Sequence, residues 1–373
     1  MKFSASSSQL LKHLQIAGGA ISSNPVLPIL EDYLIEIGQN QITITASDLE
    51  TSIITTMEAN TEGSGKAAVP AKILMDTLKA LPEQPVTIEI DEETRGVRIT
   101  SSYGTYKMVG ENGEDFPDLP SEEDDGLDSV SLNSEDLADA IGKTLFATSN
   151  DELRPNMNGV YFQIDFGKIT FVATDAHKLV RYILDGLDSE VSTSFIVPKK
   201  ALNLMKNALP GEGKLSLAFN NSNAFFQFNE TRLICRLIDA RFPDYNAVIP
   251  TENPNTLTVG RNDLLNSLRR IIIYSNKTTH QVKFNIEAEE LVISAQDLDF
   301  SNEATERLPC QYSGEQLAIS FNAKFLIEML GVLDCEEVRF EMSSPNRAGI
   351  LVPAEQEEGK DLLMLLMPVI VSH

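Results

Sequence analysis

Amphipathic helical stretches begin near Ser7, Ala71, Ser134, Lys199, Arg261 and Asn322, and each opens onto a run of short strands. Successive starts are 64, 63, 65, 62 and 61 residues apart. Solenoid units are shorter, about 20–50 residues, so this period argues for six copies of one helix-plus-sheet module rather than a horseshoe of small repeats. Within the helices apolar residues recur at helical spacing, as in Leu10, Leu11, Leu14 and Ala17, or Leu202, Met205 and Leu209. Pro70 and Pro198 stop the incoming strands, and Ser7 and Ser134 read as N-caps.

Residue identities repeat at twice that period. Ala46-Ser47-Asp48-Leu49, Ala173-Thr174-Asp175-Ala176 and Ala295-Gln296-Asp297-Leu298 each follow an alternating strand, with the aspartates 127 and 122 residues apart. Val69-Pro70-Ala71-Lys72, Val197-Pro198-Lys199-Lys200 and Phe321-Asn322-Ala323-Lys324 open the later helix of each third, and Phe116-Pro117-Asp118 recurs as Phe242-Pro243-Asp244. The expectation is an α+β chain of three domains, 1–125, 126–252 and 253–373, each with two helices on one face of antiparallel sheet. The acidic loop Ser121–Asp128 and the segment Pro250–Asn255 mark the boundaries. Leu362–Val371 reads as a final strand, in which Pro368 favours an edge beside a groove.

Cys235, Cys310 and Cys335 form neither a C-x-x-C pair nor an even set, so a disulfide framework and a zinc site are both disfavoured. The N-terminus lacks the apolar core of a signal peptide, and no apolar run reaches the roughly 20 residues that span a bilayer. A cytoplasmic protein is expected, with no membrane partner. The net charge of −25 would ordinarily exclude a polyanion as partner. The distribution of that charge removes the objection: the stretches 7–16, 71–81, 134–148, 199–209, 260–277 and 322–333 together carry +6, leaving −31 for the strands and loops.

No convincing catalytic or metal site emerges. His177 lies near Asp175, but His13, His280 and His373 are the remaining histidines and form no ligand set with it. The repeated aspartates suit turns. Gly63-Ser64-Gly65-Lys66 and Gly211-Glu212-Gly213-Lys214 lack the first glycine and the hydroxyl residue of a phosphate loop, so no nucleotide cofactor is expected. Two other classes stay open on the residues alone. One is an acidic, strand-rich hydrolase with paired carboxylates; the other is a non-encircling interaction scaffold built on the same repeat.

The Met1-Lys2-Phe3 start, Leu27-Pro28-Ile29-Leu30, Ala173-Thr174-Asp175-Ala176-His177-Lys178-Leu179, Arg241-Phe242-Pro243-Asp244-Tyr245 and Met367-Pro368 occur in order within the threefold repeat. The set resembles the beta subunit of bacterial DNA polymerase III, the sliding clamps. The resemblance implies a head-to-tail homodimeric ring with sheets outside and helices lining a hole for duplex DNA, bound without sequence preference. It implies DNA contacts from Asn24, Lys72, Lys79, Arg154, Lys199, Lys200, Lys206, Arg269 and Arg270, with Lys12 and Lys143 on the same helix faces. It also implies a groove for short peptides of the replicative polymerase, the clamp loader, and repair and translesion polymerases. That groove would comprise Met157, Thr174, Ala176, His177, Lys178, Leu179, Pro243, Val248, Asn322, Phe325, Met367, Pro368 and Val369. The dimer contact would set Tyr106 and Met108 against Ile273 and Tyr274, with Lys107, Arg95 or Arg98 facing Glu287, Glu303 or Glu306.

Overall fold

The computed structural model describes residues 1–121 and 127–370. The helices begin within a residue of where the period puts them: α1 Ser7–Gly18, α2 Ala71–Ala80, α3 Ser134–Thr144, α4 Lys199–Ala208, α5 Arg261–Ile271 and α6 Ala323–Gly331. Each buries one stripe, as Leu10, Leu14 and Ala17 do on α1 or Leu264, Leu268 and Ile271 on α5. Pro70 and Pro198 are the last residues of the strands Gly65–Pro70 and Thr193–Pro198, as their missing N–H requires.

The serine caps are a correction. Ser7 and Ser134 are the first helical residues, and Ser6 at the α1 N-cap makes no side-chain cap bond. The helix starts are held from afar instead. The Ser7 N–H donates to Gln84 O at 2.8 Å and its hydroxyl to Pro82 O at 3.1 Å, while the Ser134 N–H donates to Gly213 O at 2.8 Å. Neighbouring chain thus supplies the acceptors that a local cap otherwise would.

Contacts divide the chain into two compact units, 1–138 with 200–237, and 139–199 with 238–373. The first unit holds a five-stranded sheet ordered 60–62, 2–6, 85–90, 96–101, 104–109, and a nine-stranded sheet. In that larger sheet the strand Thr51–Glu58 pairs with Thr231–Arg236, setting Ile53 opposite Leu233, so strands from different thirds share one ladder. The second unit repeats the pattern. Its nine-stranded sheet is sewn by Lys178–Leu187 against Lys360–Leu366, and its four-stranded sheet runs 302–309, 290–297, 281–286, 317–322. All described pairings are antiparallel, and strands such as Val86–Ile90 and Val338–Met342 alternate buried and half-buried positions, one face turned to the core. The boundary expected at 125/126 lies outside the described residues.

Candidate functional site

Thr174, at the end of the strand Gly167–Thr174, turns into a loop that the repeated aspartate predicted. Asp175 Oδ1 accepts from the N–H groups of His177 and Lys178, both at 2.9 Å, and the Thr174 hydroxyl donates to Lys178 O at 2.7 Å. Asp48 makes the same turn with the Glu50 and Thr51 N–H groups, and Asp297 accepts from the Asp299 N–H. These hydrogen bonds hold Ala176 at φ 75° and Leu49 at φ 77°, a left-handed conformation that non-glycine residues rarely adopt. In the second unit the loop therefore presents Ala176 and His177 to solvent in a fixed shape.

Lys178 turns inward from this loop. It is 5% exposed; its ammonium lies 2.9 Å from Asp175 Oδ2 and 3.1 Å from Glu328 Oε2, and 4.2 Å from the centroid of the Phe325 ring. The His177 ring lies roughly parallel to Phe325 with centroids 6.2 Å apart. Loop and α6 are thus joined by a charge sandwiched between acids and an aromatic face, a favourable arrangement for a desolvated cation. Asn322 caps α6 through Oδ1, which accepts from the Lys324 N–H at 2.9 Å. The final strand ends at Leu366, one residue before Met367, whose N–H donates to His177 O at 3.0 Å. Val369 N–H donates to Ser320 O at 2.8 Å, and Pro368 sits between these two ties without a donor of its own.

The floor is apolar. Leu179 is buried with Val172, Ile196, Phe242, Tyr245 and Leu365. Phe242 stacks on Tyr161 at 4.6 Å, and the Tyr245 hydroxyl donates to Gln163 Oε1 at 2.9 Å. With Phe242 and Tyr245 anchored below, Pro243 is left half-buried and Val248 exposed. Met157 is half-buried in the turn Pro155–Met157, and Met367 is exposed. Glu328 and Phe146, which lies 5.9 Å from the Lys178 ammonium, escaped the sequence reading. Glu328 carried a local signal, standing three residues after Phe325 on one helix face. Phe146 carried none.

The expected DNA-contacting residues fall into two groups. Lys72, Lys79, Lys206 and Arg269 are exposed and make no ion pair among the described residues, and Lys12 is like them. The others are engaged. Arg154 Nε donates to Asp151 Oδ2 at 2.8 Å, Lys200 pairs with Asp48, and Arg270 makes a bidentate pair with Glu306 at 2.8 and 2.6 Å. Lys199 donates to Asn150 Oδ1 at 2.9 Å, which brings the start of α4 to the loop 150–154. Asn24 is exposed, and its N–H donates to Ser22 Oγ. One cleft in the first unit is lined by Ser22, Ser23 and Lys72, so this loop and the start of α2 share a surface. Lys143 corrects the expectation: it is 8% exposed, bound to Asp139 at 2.8 Å and set against the Tyr182 ring, because its long stem covers core.

Each unit also ends a sheet in an open edge. Tyr106 is half-buried and Met108 buried on the edge strand Gly104–Val109, whereas Ile273 and Tyr274 are exposed in a turn packed on the edge strand Asn302–Pro309. Among the described residues no helix is long and apolar enough to cross a membrane, and no cluster of three or more His, Cys, Asp or Glu side chains could hold a metal.

Three family models match in sequence order: the N-terminal domain of the DNA polymerase III beta subunit over residues 1–120, its central domain over 131–244 and its C-terminal domain over 246–368. A beta sliding clamp from Vibrio cholerae is 31% identical over 373 residues, covering 99% of this chain and 100% of that protein. Among solved structures, a sliding clamp from Pseudomonas aeruginosa bound to griselimycin matches with a TM-score of 0.94 at 27% identity, covering 100% of both chains. The beta subunit from Thermotoga maritima matches with a TM-score of 0.91 at 25% identity, again over 100% of both.

Proposed function

The chain belongs to the DNA polymerase III beta-subunit family, and from that premise we propose that two copies join head to tail into a ring that holds duplex DNA by enclosure. It is a DNA sliding clamp for DNA polymerase III, a non-catalytic processivity factor, so the hydrolase alternative falls. Residues 1–125, 126–252 and 253–373 would be its three modules, and the cytoplasm its compartment. One observation carries the reading of DNA contact: on a chain of net charge −25, Lys72, Lys79, Lys206 and Arg269 stand exposed on helices, without an ion pair among the described residues. Diffuse cations of this kind supply affinity without reading bases, which is what sliding requires.

The groove of Met157, Thr174, Ala176, His177, Leu179, Pro243, Val248, Asn322, Phe325, Met367, Pro368 and Val369 would receive partner peptides. Those partners are the replicative polymerase, the clamp loader, and repair and translesion polymerases. Its methionines and aliphatic walls adapt to differing side chains. Lys178 would shape the groove from beneath rather than touch the peptide.

Retention on DNA tests the ring. Protein loaded onto closed circular DNA should stay there in salt that abolishes direct contact, and cutting the circle should release it. Equal salt-dependent loss from circles and linear DNA would refute enclosure and favour the non-encircling scaffold.

A further inference from the structure

The chain has ten methionines, and the fold shields all but one of them. Met57, Met108, Met205, Met329, Met342 and Met364 are buried, and Met1, Met75 and Met157 are half-buried. Met367 is 45% exposed. Oxidation of a sulfur side chain follows its exposure, so an oxygen-atom donor in solution meets Met367 ahead of the others.

The backbone keeps this side chain where it is. The Met367 N–H donates to His177 O at 3.0 Å and the Val369 N–H to Ser320 O at 2.8 Å, so the main chain is tied on both sides of Met367. Pro368 between them adds a fixed φ and no donor. These ties are made by backbone atoms that oxidation of a thioether leaves untouched. Met367 also continues the strand whose Leu365 pairs with Leu179 in the apolar floor. A sulfoxide at this place puts a strong acceptor on the lip of an apolar groove, while the N–H groups of Met367 and Val369 are already engaged. A partner's apolar anchor closing over that oxygen would strip it of water and give it no donor in return.

We propose that Met367 is an oxidation-sensitive switch on partner recognition: hydrogen peroxide converts its thioether to the sulfoxide, and the oxidised groove rejects partner peptides. This rests on the peptide groove proposed above and deepens it by naming how that groove is regulated. In the reaction a sulfur lone pair attacks one peroxide oxygen, an S–O bond forms and the O–O bond breaks. The departing hydroxide takes the proton left on the transferred oxygen, so thioether and peroxide give sulfoxide and water; sulfur loses two electrons and peroxide gains them. Methionine sulfoxide reductases reverse the change. A bound peptide covers the sulfur, so free molecules are modified ahead of occupied ones. The cysteines are poor rivals for this role. Burial pushes the Cys235 thiol up to about 12 and also raises Cys310 and Cys335, which leaves little of the reactive thiolate at neutral pH.

The full chain treated with increasing hydrogen peroxide tests the switch, with each methionine followed by peptide mass spectrometry and a clamp-binding peptide free of Met and Cys titrated by calorimetry. Met367 should oxidise first, with no change in thermal melting, since its side chain is exposed. Affinity should fall about tenfold or more in proportion to the fraction of Met367 oxidised, as desolvating an unpaired polar oxygen implies. Saturating peptide should slow the reaction at Met367, and a methionine sulfoxide reductase should restore binding. A Met367→Leu variant keeps every other methionine and all three cysteines, so its affinity, compared with its own untreated value, should not respond to peroxide. Oxidised wild type that binds as tightly as untreated protein, or a Met367→Leu variant that loses as much affinity on treatment as wild type, would overturn the switch and leave the groove standing. Buried methionines oxidised at the pace of Met367 would overturn the selectivity, and the switch with it. Untreated protein that does not bind the peptide would overturn the groove itself.

Discussion

Replacing Lys178 by methionine separates two roles for this residue, as a direct contact to partner peptides and as a buried strut beneath the groove. Methionine keeps an unbranched stem against Phe325 and Phe146 and removes only the charge. At an effective permittivity of about 20, the 2.9 Å pair with Asp175 amounts to about 6 kcal/mol of attraction, most of it offset by the cost of desolvating both ions. Removing the cation alone does not recover that cost, because Asp175 stays where its backbone bonds hold it. Loss of one partner from a fully buried pair costs about 3–5 kcal/mol. The side chains of Asp175 and Glu328 are 16% and 35% exposed, which lets water soften the loss, so about 2–3 kcal/mol is expected here. Chemical denaturation reads this cost, and adding Asp175→Asn to the variant should restore part of it. Calorimetric titration with a clamp-binding peptide, below the unfolding transition, should show affinity reduced by only a few-fold. A variant as stable as wild type that no longer binds peptide would refute the strut and make Lys178 a direct ligand.

Two further outcomes follow from the charges. Neutralising Lys72, Lys79 and Lys206 should lower the salt slope of weak DNA binding by about 0.9 per lysine, whereas Arg270→Ala should leave it nearly unchanged because Glu306 already neutralises that guanidinium; equal slopes from both would contradict the division. Burial, with the charges of Glu111 and Glu31 adding to it, pushes the Asp32 carboxyl up to about 6, so the folded chain holds that proton more tightly than the unfolded chain. This group's contribution to stability therefore grows as pH falls from about 7 to about 4, and Asp32→Asn should gain about 1–3 kcal/mol at neutral pH, with most of the gain gone near pH 4 in denaturation curves.

What the sequence made legible is what repeats or acts locally. The helix starts followed from a period and from Pro70 and Pro198, and the turns at Asp48, Asp175 and Asp297 followed from a side chain reaching two or three residues along its own backbone. Pairings between distant segments were not legible. Arg270 and Lys206 look alike on their helices, yet one is clamped by Glu306, 36 residues away, and the other has no ion-pair partner among the described residues. Lys143 had a visible partner in Asp139, four residues back, but its burial comes from Tyr182 on a strand far along the chain. Ser7 misled for the same reason: its helix is anchored by Pro82 and Gln84 rather than by its own first turn.

The strands shared between thirds also fix an order in time. Thr51–Glu58 waits for Thr231–Arg236, and Lys178–Leu187 waits for Lys360–Leu366, so in each case 173 positions separate the end of one strand from the start of its mate. At about 5–20 residues per second, a ribosome needs roughly 9–35 s to cover that distance. For that interval, twice in each synthesis, a finished sheet shows the cell an unpaired border. The borders carry their own guards: Thr51, Ser52, Thr55 and Thr56 on the first, Lys178, Arg181 and Asp185 on the second. Polar and charged residues there disfavour pairing with a stray chain while the proper one is still being made.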